Sequence, residues 1–274
     1  MEILTSADAM VAWADARRAA HQRIGLVPTM GFLHRGHASL MDQVRPRCDA
    51  LVVSIYVNPM QFGPNEDLAR YPRDLPGDLA LCEAHGVDAV FAPDDLYTPD
   101  FATRVRVSGL TDGLCGAFRP VHFEGVTTVV ARLFGLTRAD VSAFGEKDYQ
   151  QLAVIRRMVR DLAIPVEVLG GATIRDADGL AMSSRNKYLS AADRARALSI
   201  PRALSALAAS TEPDAATRVA AAKAALDVDK LDYLELVDAS SLQPLTTVDR
   251  PARVIVAAYV GSTRLIDNLA VEPV

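Results

Sequence analysis

The sequence predicts an α/β protein, a doubly wound parallel sheet with a smaller C-terminal α+β domain. Three observations predict it. Apolar, β-branched runs alternate with helix-like patterns as far as residue 173, the signature of a parallel sheet with helices on both faces. The run Leu51-Val52-Val53-Ser54-Ile55-Tyr56-Val57 is nearly all apolar, as a strand covered on both faces should be. Beyond residue 173 the texture changes to an Ala-rich stretch and then to two separated strand-like runs. The division expected is therefore a Rossmann-like domain over 1–173 and a smaller α+β domain over 174–274.

In chain order, Ile24–Pro28 reads as a short buried strand, and 37–47 as a helix that Pro46 should end. Leu51–Val57 is the next strand, 75–85 a helix and Val87–Phe91 a strand. A long helix around Val126–Leu136 leads to a strand at Asp140–Phe144. Helix 148–162 and strand Pro165–Leu169 complete the alternation. In the second part, 190–226 is helical, with a turn at Thr211-Glu212-Pro213-Asp214, and strands follow at Leu231–Val237 and Arg253–Tyr259.

Composition bounds the function. The 274 residues carry 29 Lys+Arg against 34 Asp+Glu, a net charge of −5. That argues against a broad basic face for nucleic acid. Only four lysines are present, Lys147, Lys187, Lys223 and Lys230, so Lys147 stands alone in the first 186 residues. The cysteines Cys48, Cys82 and Cys115 are far apart and form no CxxC. They read as small buried hydrophobes of a reducing compartment. The N-terminal stretch does not read as a signal peptide, and no run of about 18 apolar residues suggests a membrane span. A cytoplasmic protein is expected.

Three stretches place polar groups where strands end, the ligand edge of such sheets, and a fourth places them in a loop. Pro28-Thr29-Met30-Gly31-Phe32-Leu33-His34-Arg35-Gly36-His37 runs from strand to helix. Helix N-termini favour anions, and two histidines there can donate to phosphate oxygens. The Gly31-x4-Gly36 spacing mimics a P-loop, but His37-Ala38 replaces the Lys-Ser/Thr that such a loop needs. A zinc site lacks a third ligand nearby. Asn58 and Gln61 follow the apolar strand; Asn58 suits a ligand contact or a turn cap before Pro59 equally well.

Gly145-Glu146-Lys147-Asp148 precedes a helix that carries Gln151 one turn after Lys147. The Lys ammonium suits a moving phosphate. Asp148 fits either a helix cap or a ribose hydroxyl. Met182-Ser183-Ser184-Arg185 follows an Asp178-Gly179 turn and offers hydroxyls and a guanidinium, a phosphate-binding set or a capping loop. In the stretch Arg119-Pro120-Val121-His122, Arg119 and His122 suit the site or backbone carbonyls about equally.

Together PTMGFLHRGH, SIYVNPMQF, YPRD, FRPVHFEGV, FGEKDYQQL and IRDADGLAMSSRN, with LDYLELVD and GSTRLIDNL in the tail, resemble the pantoate–β-alanine ligase family. These are the pantothenate synthetases of the HIGH-type nucleotidyltransferase superfamily. Phe32 stands where the family usually has a small residue and Tyr56 where Phe is common; neither change removes a functional group. The resemblance implies ATP-dependent condensation of pantoate with β-alanine through a pantoyl adenylate, releasing pyrophosphate and AMP, with Mg²⁺ on the phosphates and no metal ligand from the protein. It implies that Met30 to His37 form part of the ATP site, with His34 and His37 on phosphates and His37 as proton donor. Gly145, Glu146, Lys147 and Asp148 would contact ATP, Lys147 on phosphate and Asp148 on ribose. Ile174 would meet adenine, and Met182, Ser183, Ser184 and Arg185 would close over the phosphates. Gln61 and Gln151, with Asn58, would bind pantoate and β-alanine. A homodimer is implied, with neither nucleic acid nor membrane as partner. The rivals are another nucleotidyltransferase of the superfamily, a class I aminoacyl-tRNA synthetase fragment, and a non-catalytic nucleotide-binding protein.

Overall fold

In the computed structural model, residues 1–64 and 66–274 are described. The first part runs β1 (Glu2–Leu4), α1 (Ala7–Ala19), β2 (Ile24–Thr29), α2 (Arg35–Val44), β3 (Ala50–Ile55), α3 (Leu75–Ala84) and β4 (Ala89–Phe91). It continues with α4 (Cys115–Phe118), α5 (His122–Thr137), β5 (Val141–Gly145), α6 (Tyr149–Asp161) and β6 (Glu167–Gly171). The second part holds α7 (Ala191–Ala197), α8 (Ser199–Ala209), α9 (Ala215–Ala224), β7 (Lys230–Asp238), β8 (Ala252–Val260) and β9 (Thr263–Val271).

The six-stranded sheet has the order β1-β4-β3-β2-β5-β6, and every pair is parallel. Apolar residues on both strand faces make this possible. Ile24, Leu26 and Val52 turn toward α1, α5 and α6, where Trp13, Val130 and Leu152 meet them. Val27, Leu51 and Val53 turn the other way, toward Met41 and Val44 of α2 and Cys82 of α3. The doubly wound expectation holds.

Strand order reverses between β2 and β5, and the pairing there is short. β2 pairs with β3 over six positions, from Ile24–Ala50 to Thr29–Ile55. With β5 it pairs only at Gly25–Val141 and Leu26–Ser142. Beyond Leu26 and Ser142 the two strands splay, opening a crevice at their carboxyl ends.

The second part is an antiparallel sheet, β7-β8-β9, with Leu204, Leu207, Leu234 and Val256 in its core with α8 and α9. A further apolar cluster joins Phe123 and Val154 of the first part to Tyr233 and Ile255 of the second. The expected elements are present within a few residues. Four elements were not anticipated: β1, α1, α4 and β9. Pro46 acts as expected, since α2 stops at Val44 and a 3-10 turn takes over. The cysteines are unbonded, with Cys82 buried and Cys48 and Cys115 half-buried. Among the described residues, no helix is long and apolar enough to cross a membrane.

Helix α5 begins earlier than its apolar run suggests, at His122. Its first turn packs Gly125 directly on the backbone of Met60 and Gln61, leaving no room for a Cβ. Gly125→Ala should therefore push the 59–61 turn aside, at about 1–3 kcal/mol of stability. Thermal unfolding of the variant against the parent checks this.

Candidate active site

The splay of β2 and β5 opens into a cleft of about 700 Å³. One wall is the turn after β2 and the first turn of α2. The polar groups after β3 and β5 line it further, and residues 180–186 of the second part cover it.

His34 is the N-cap of α2. Its Nδ1 accepts from the Gly36 N–H at 3.1 Å, and His37 Nδ1 accepts from the His34 N–H at 3.2 Å. An imidazole that accepts at Nδ1 carries its proton on Nε2 when neutral. Burial pushes His34 down to about 4 and His37 down to about 3, with Lys147 adding to both shifts and His34 to the second. Both rings are therefore neutral at physiological pH and present Nε2–H donors.

The turn that carries them is held by a residue the motifs did not single out. Asp78 of α3 is buried, and its carboxylate accepts from the Phe32 N–H at 2.9 Å and the Leu33 N–H at 2.6 Å. The chain needs that hold, because Gly31 at φ 81° and Phe32 at φ 52° both occupy the left-handed region. Glycine is at ease there, and a phenylalanine is not.

Lys147 follows β5, and its side chain makes neither a hydrogen bond nor an ion pair among the described residues. Burial lowers its ammonium below the usual lysine range, while Asp148 works in the opposite direction. Asn268 of β9 fixes the loop by donating to the carbonyls of Glu146 and Lys147, at 2.9 and 2.8 Å. Asp148 makes no capping bond to α6 and is exposed, so the helix-cap reading of it falls away. Gln151 lines the cleft. Its neighbour Gln150 is spent on structure, binding Cys115 N, Leu110 O and Gly113 O.

Gln61 is set from three sides. Its carbonyl oxygen meets His122 Nδ1 at 3.0 Å and accepts from Arg119 Nη2 at 3.2 Å, so both residues satisfy a backbone carbonyl while also lining the cleft. Arg119 is also held by Glu66 at 2.6 and 2.7 Å. Asn58 Nδ2 donates to Gln61 Oε1 at 3.1 Å and to Gly125 O at 3.1 Å, while Asn58 Oδ1 accepts from Met60 N and Tyr97 OH. The side chain of Asn58 is thus fully used inside the protein. Asn58 lines the cleft beside Gln61 and also caps the turn at Pro59, its buried polar atoms paired as burial requires. With Oε1 engaged and one N–H directed at Met30 Sδ at 3.2 Å, Gln61 keeps one amide N–H to offer.

In the covering loop, Ser183 caps its own 3-10 turn, Ser184 hydrogen-bonds Tyr71 OH at 3.2 Å, and Arg185 grips Asp67 at 2.8 and 2.9 Å. Ile174 lines the cleft, and its carbonyl accepts from Met182 N at 2.9 Å. Met30, His34, Gly36, His37, Gly145, Lys147 and Asp148 also line it, whereas Gly31, Phe32, Leu33, Arg35 and Glu146 do not. Gly31 to Leu33 form the turn behind the histidines. Arg35 points outward, 70% exposed and 3.8 Å from Asp176. The Glu146 side chain lies 3.5 Å from Arg253.

Comparison with known proteins decides the family. Residues 2–270 match Pantoate-beta-alanine ligase. The chain belongs to this family. It is 53% identical to pantothenate synthetase 1 of Bradyrhizobium diazoefficiens over 99% of both chains, and 50% identical to the pantothenate synthetase of Moorella thermoacetica over the same share. A solved pantothenate synthetase of Thermus thermophilus superposes with a TM-score of 0.92 at 48% identity, each chain covered in full. Another, the pantoate-beta-alanine ligase of Francisella tularensis complexed with beta-gamma ATP and beta-alanine, gives a TM-score of 0.81 at 33% identity, covering 98% and 97% of the two chains. By this membership the chain is a ligase.

The histidine turn generates two predictions. Asp78→Ala orphans two amide N–H groups and should lower stability by about 1–3 kcal/mol, read by denaturant unfolding. Both histidines titrate below the 6.5 of an unfolded imidazole, so the unfolded chain takes up protons first. Stability should be complete above about pH 6.5 and fall as the pH drops toward 4. A His37→Gln variant should flatten that slope in unfolding curves at pH 7.5 and 5.

Proposed function

We propose that the chain condenses pantoate with β-alanine at the expense of ATP, through a pantoyl adenylate. The pantoate carboxylate oxygen attacks the α-phosphorus, and the bond to pyrophosphate breaks. The amine nitrogen of β-alanine then attacks the acyl carbon, losing a proton, and AMP leaves. The observation that carries this reading is one juxtaposition at the splayed strand ends. An unpaired lysine ammonium and two Nε2–H imidazoles share a cleft with Gln61 and Gln151.

Each group has a role in the proposed sequence. Lys147 meets the phosphates, whose charge favours its protonated form. His34 and His37 donate hydrogen bonds to the oxygens that gain charge as pyrophosphate departs. Burial holds them neutral, so they present oriented N–H dipoles. Phosphate charge raises their affinity for a proton, which keeps His37 in the proton-donor role the resemblance implies. Gln61 donates to the pantoate carboxylate or hydroxyls, aided by Gln151, and Asn58 sets the orientation of the Gln61 amide. Asp148 takes the ribose and Ile174 the adenine. The loop Met182–Arg185 belongs to a second domain, 174–274, that closes over the phosphates held by the first, 1–173, and shields the adenylate from water.

Mg²⁺ enters this scheme as part of the substrate, held by ATP oxygens. Among the described residues no group of three or more His, Cys, Asp or Glu side chains is arranged for a metal. A bound Mg²⁺ would neutralise phosphate charge. A cytoplasmic homodimer completes the proposal; light scattering should read about twice the 29.4 kDa chain mass.

The deciding assay mixes ATP, Mg²⁺, pantoate and β-alanine. AMP should appear only when all are present, and pantoate alone should drive exchange of labelled pyrophosphate into ATP. Exchange that ignores pantoate would overturn the reading. Lys147→Ala should slow adenylate formation at least about a hundredfold in single-turnover experiments. Gln61→Ala should raise KM for pantoate far more than KM for ATP.

A further inference from the structure

β-Alanine brings a carboxylate that passes through the reaction unchanged, and a water-excluding cleft must balance its charge. Two of the six cations lining the cleft are each matched to a carboxylate of their own. Arg119 holds Glu66, and Arg185 holds Asp67. Lys147 lies with the histidines, and Arg70 lies on the exposed rim, where its carbonyl accepts from Tyr188.

The remaining two, Lys230 and Arg264, share one carboxylate in an arm of the cleft between β7 and β9, and Cys115, Phe118 and Tyr259 line the same cleft. Asp232 is 3% exposed and is shared there by two cations, with Lys230 Nζ 3.1 Å from one oxygen and Arg264 Nε 2.8 Å from the other. Two positive charges against one negative leave the arm at +1. Arg264 is 17% exposed, and its Nη2 has no hydrogen-bond partner among the described residues.

The arm also lies on the useful side. The charge of Arg264 acts on Arg119 and His122, the two residues that hold Gln61. On β9, Arg264 shares a face with Asn268, which clamps the Lys147 loop. Four residues of strand separate them by about 13 Å. The arm therefore lies clear of the phosphate end while opening into the same cleft.

Resting on the ligase reading above, we propose that this arm, with Arg264 as its charged contact, docks the carboxylate of the amine co-substrate. The amine then points toward the acyl carbon held by the two glutamines. No motif of the first half includes this site. It gives the second part a share in choosing the substrate as well as in covering it.

The two half-reactions separate the outcomes. In Arg264→Gln, pantoate-dependent pyrophosphate exchange without β-alanine should stay within about twofold of the parent. KM for β-alanine in the full reaction should rise about tenfold or more. The neutral amine 3-aminopropanamide should serve parent and variant equally, so the preference of the parent for β-alanine over the amide should shrink. Arg264→Lys, which keeps the charge and the support of Asp232, should fall between the two. An unchanged KM for β-alanine, an intact preference over the amide, or a loss of exchange in step with the full reaction would each overturn the assignment. Failure of the unmodified protein to show pantoate-dependent exchange would instead overturn the ligase reading.

Discussion

The molecule depends on one parting of strands. β2 and β5 are neighbours, yet they pair at only two positions before they diverge. Everything chemical is arranged around that divergence. The chain leaving β2 turns sharply into α2 and brings its histidines, while the chain leaving β5 brings Lys147. Had the strands stayed paired to their ends, their backbones would have filled the crevice. The core beneath is what allows it, because Val27, Leu51 and Val141 are completely buried and keep the sheet rigid up to the point of parting.

Charge is rationed within this opening. The guanidinium groups of Arg119 and Arg185 are each matched to a carboxylate, which explains how an acidic chain of net charge −5 builds a site for anions. Among the described residues that line the opening, Lys147 and Arg70 make no ion pair, and Lys230 and Arg264 share the single carboxylate of Asp232. The histidines add oriented dipoles without adding charge, because burial disfavours their protonated form.

Much of this was legible in the residues. Runs such as Leu51–Val57 declare a strand covered on both faces. Lys147 stood out because an arginine-rich chain rarely chose lysine. What stayed hidden did so for physical reasons. β1 is three residues long at a sheet edge. In β9, Arg264, Asp267 and Asn268 interrupt the apolar alternation because they carry ion pairs and loop clamps. Asp78 and Asn268 act on backbone groups 46 and 122 residues away, and no local spacing signals such a bond. Asn58 was placed at the right strand end, but its bonds to Gln61, Gly125 and Tyr97 were not readable, since a polar residue after a strand looks the same whether it meets a ligand or a neighbour.

The grip of Arg185 on Asp67 has a consequence for selectivity. A guanidinium carries five N–H donors, and Asp67 takes only those of Nε and Nη2 along one edge. A ligand meeting the other edge finds a cation whose charge a resident carboxylate already offsets. A lone monoanion gains little from such a partner. A chain of linked phosphates gains more, because it brings more charge and further anchor points. Asp67 thus tempers the pull of Arg185 on small stray anions.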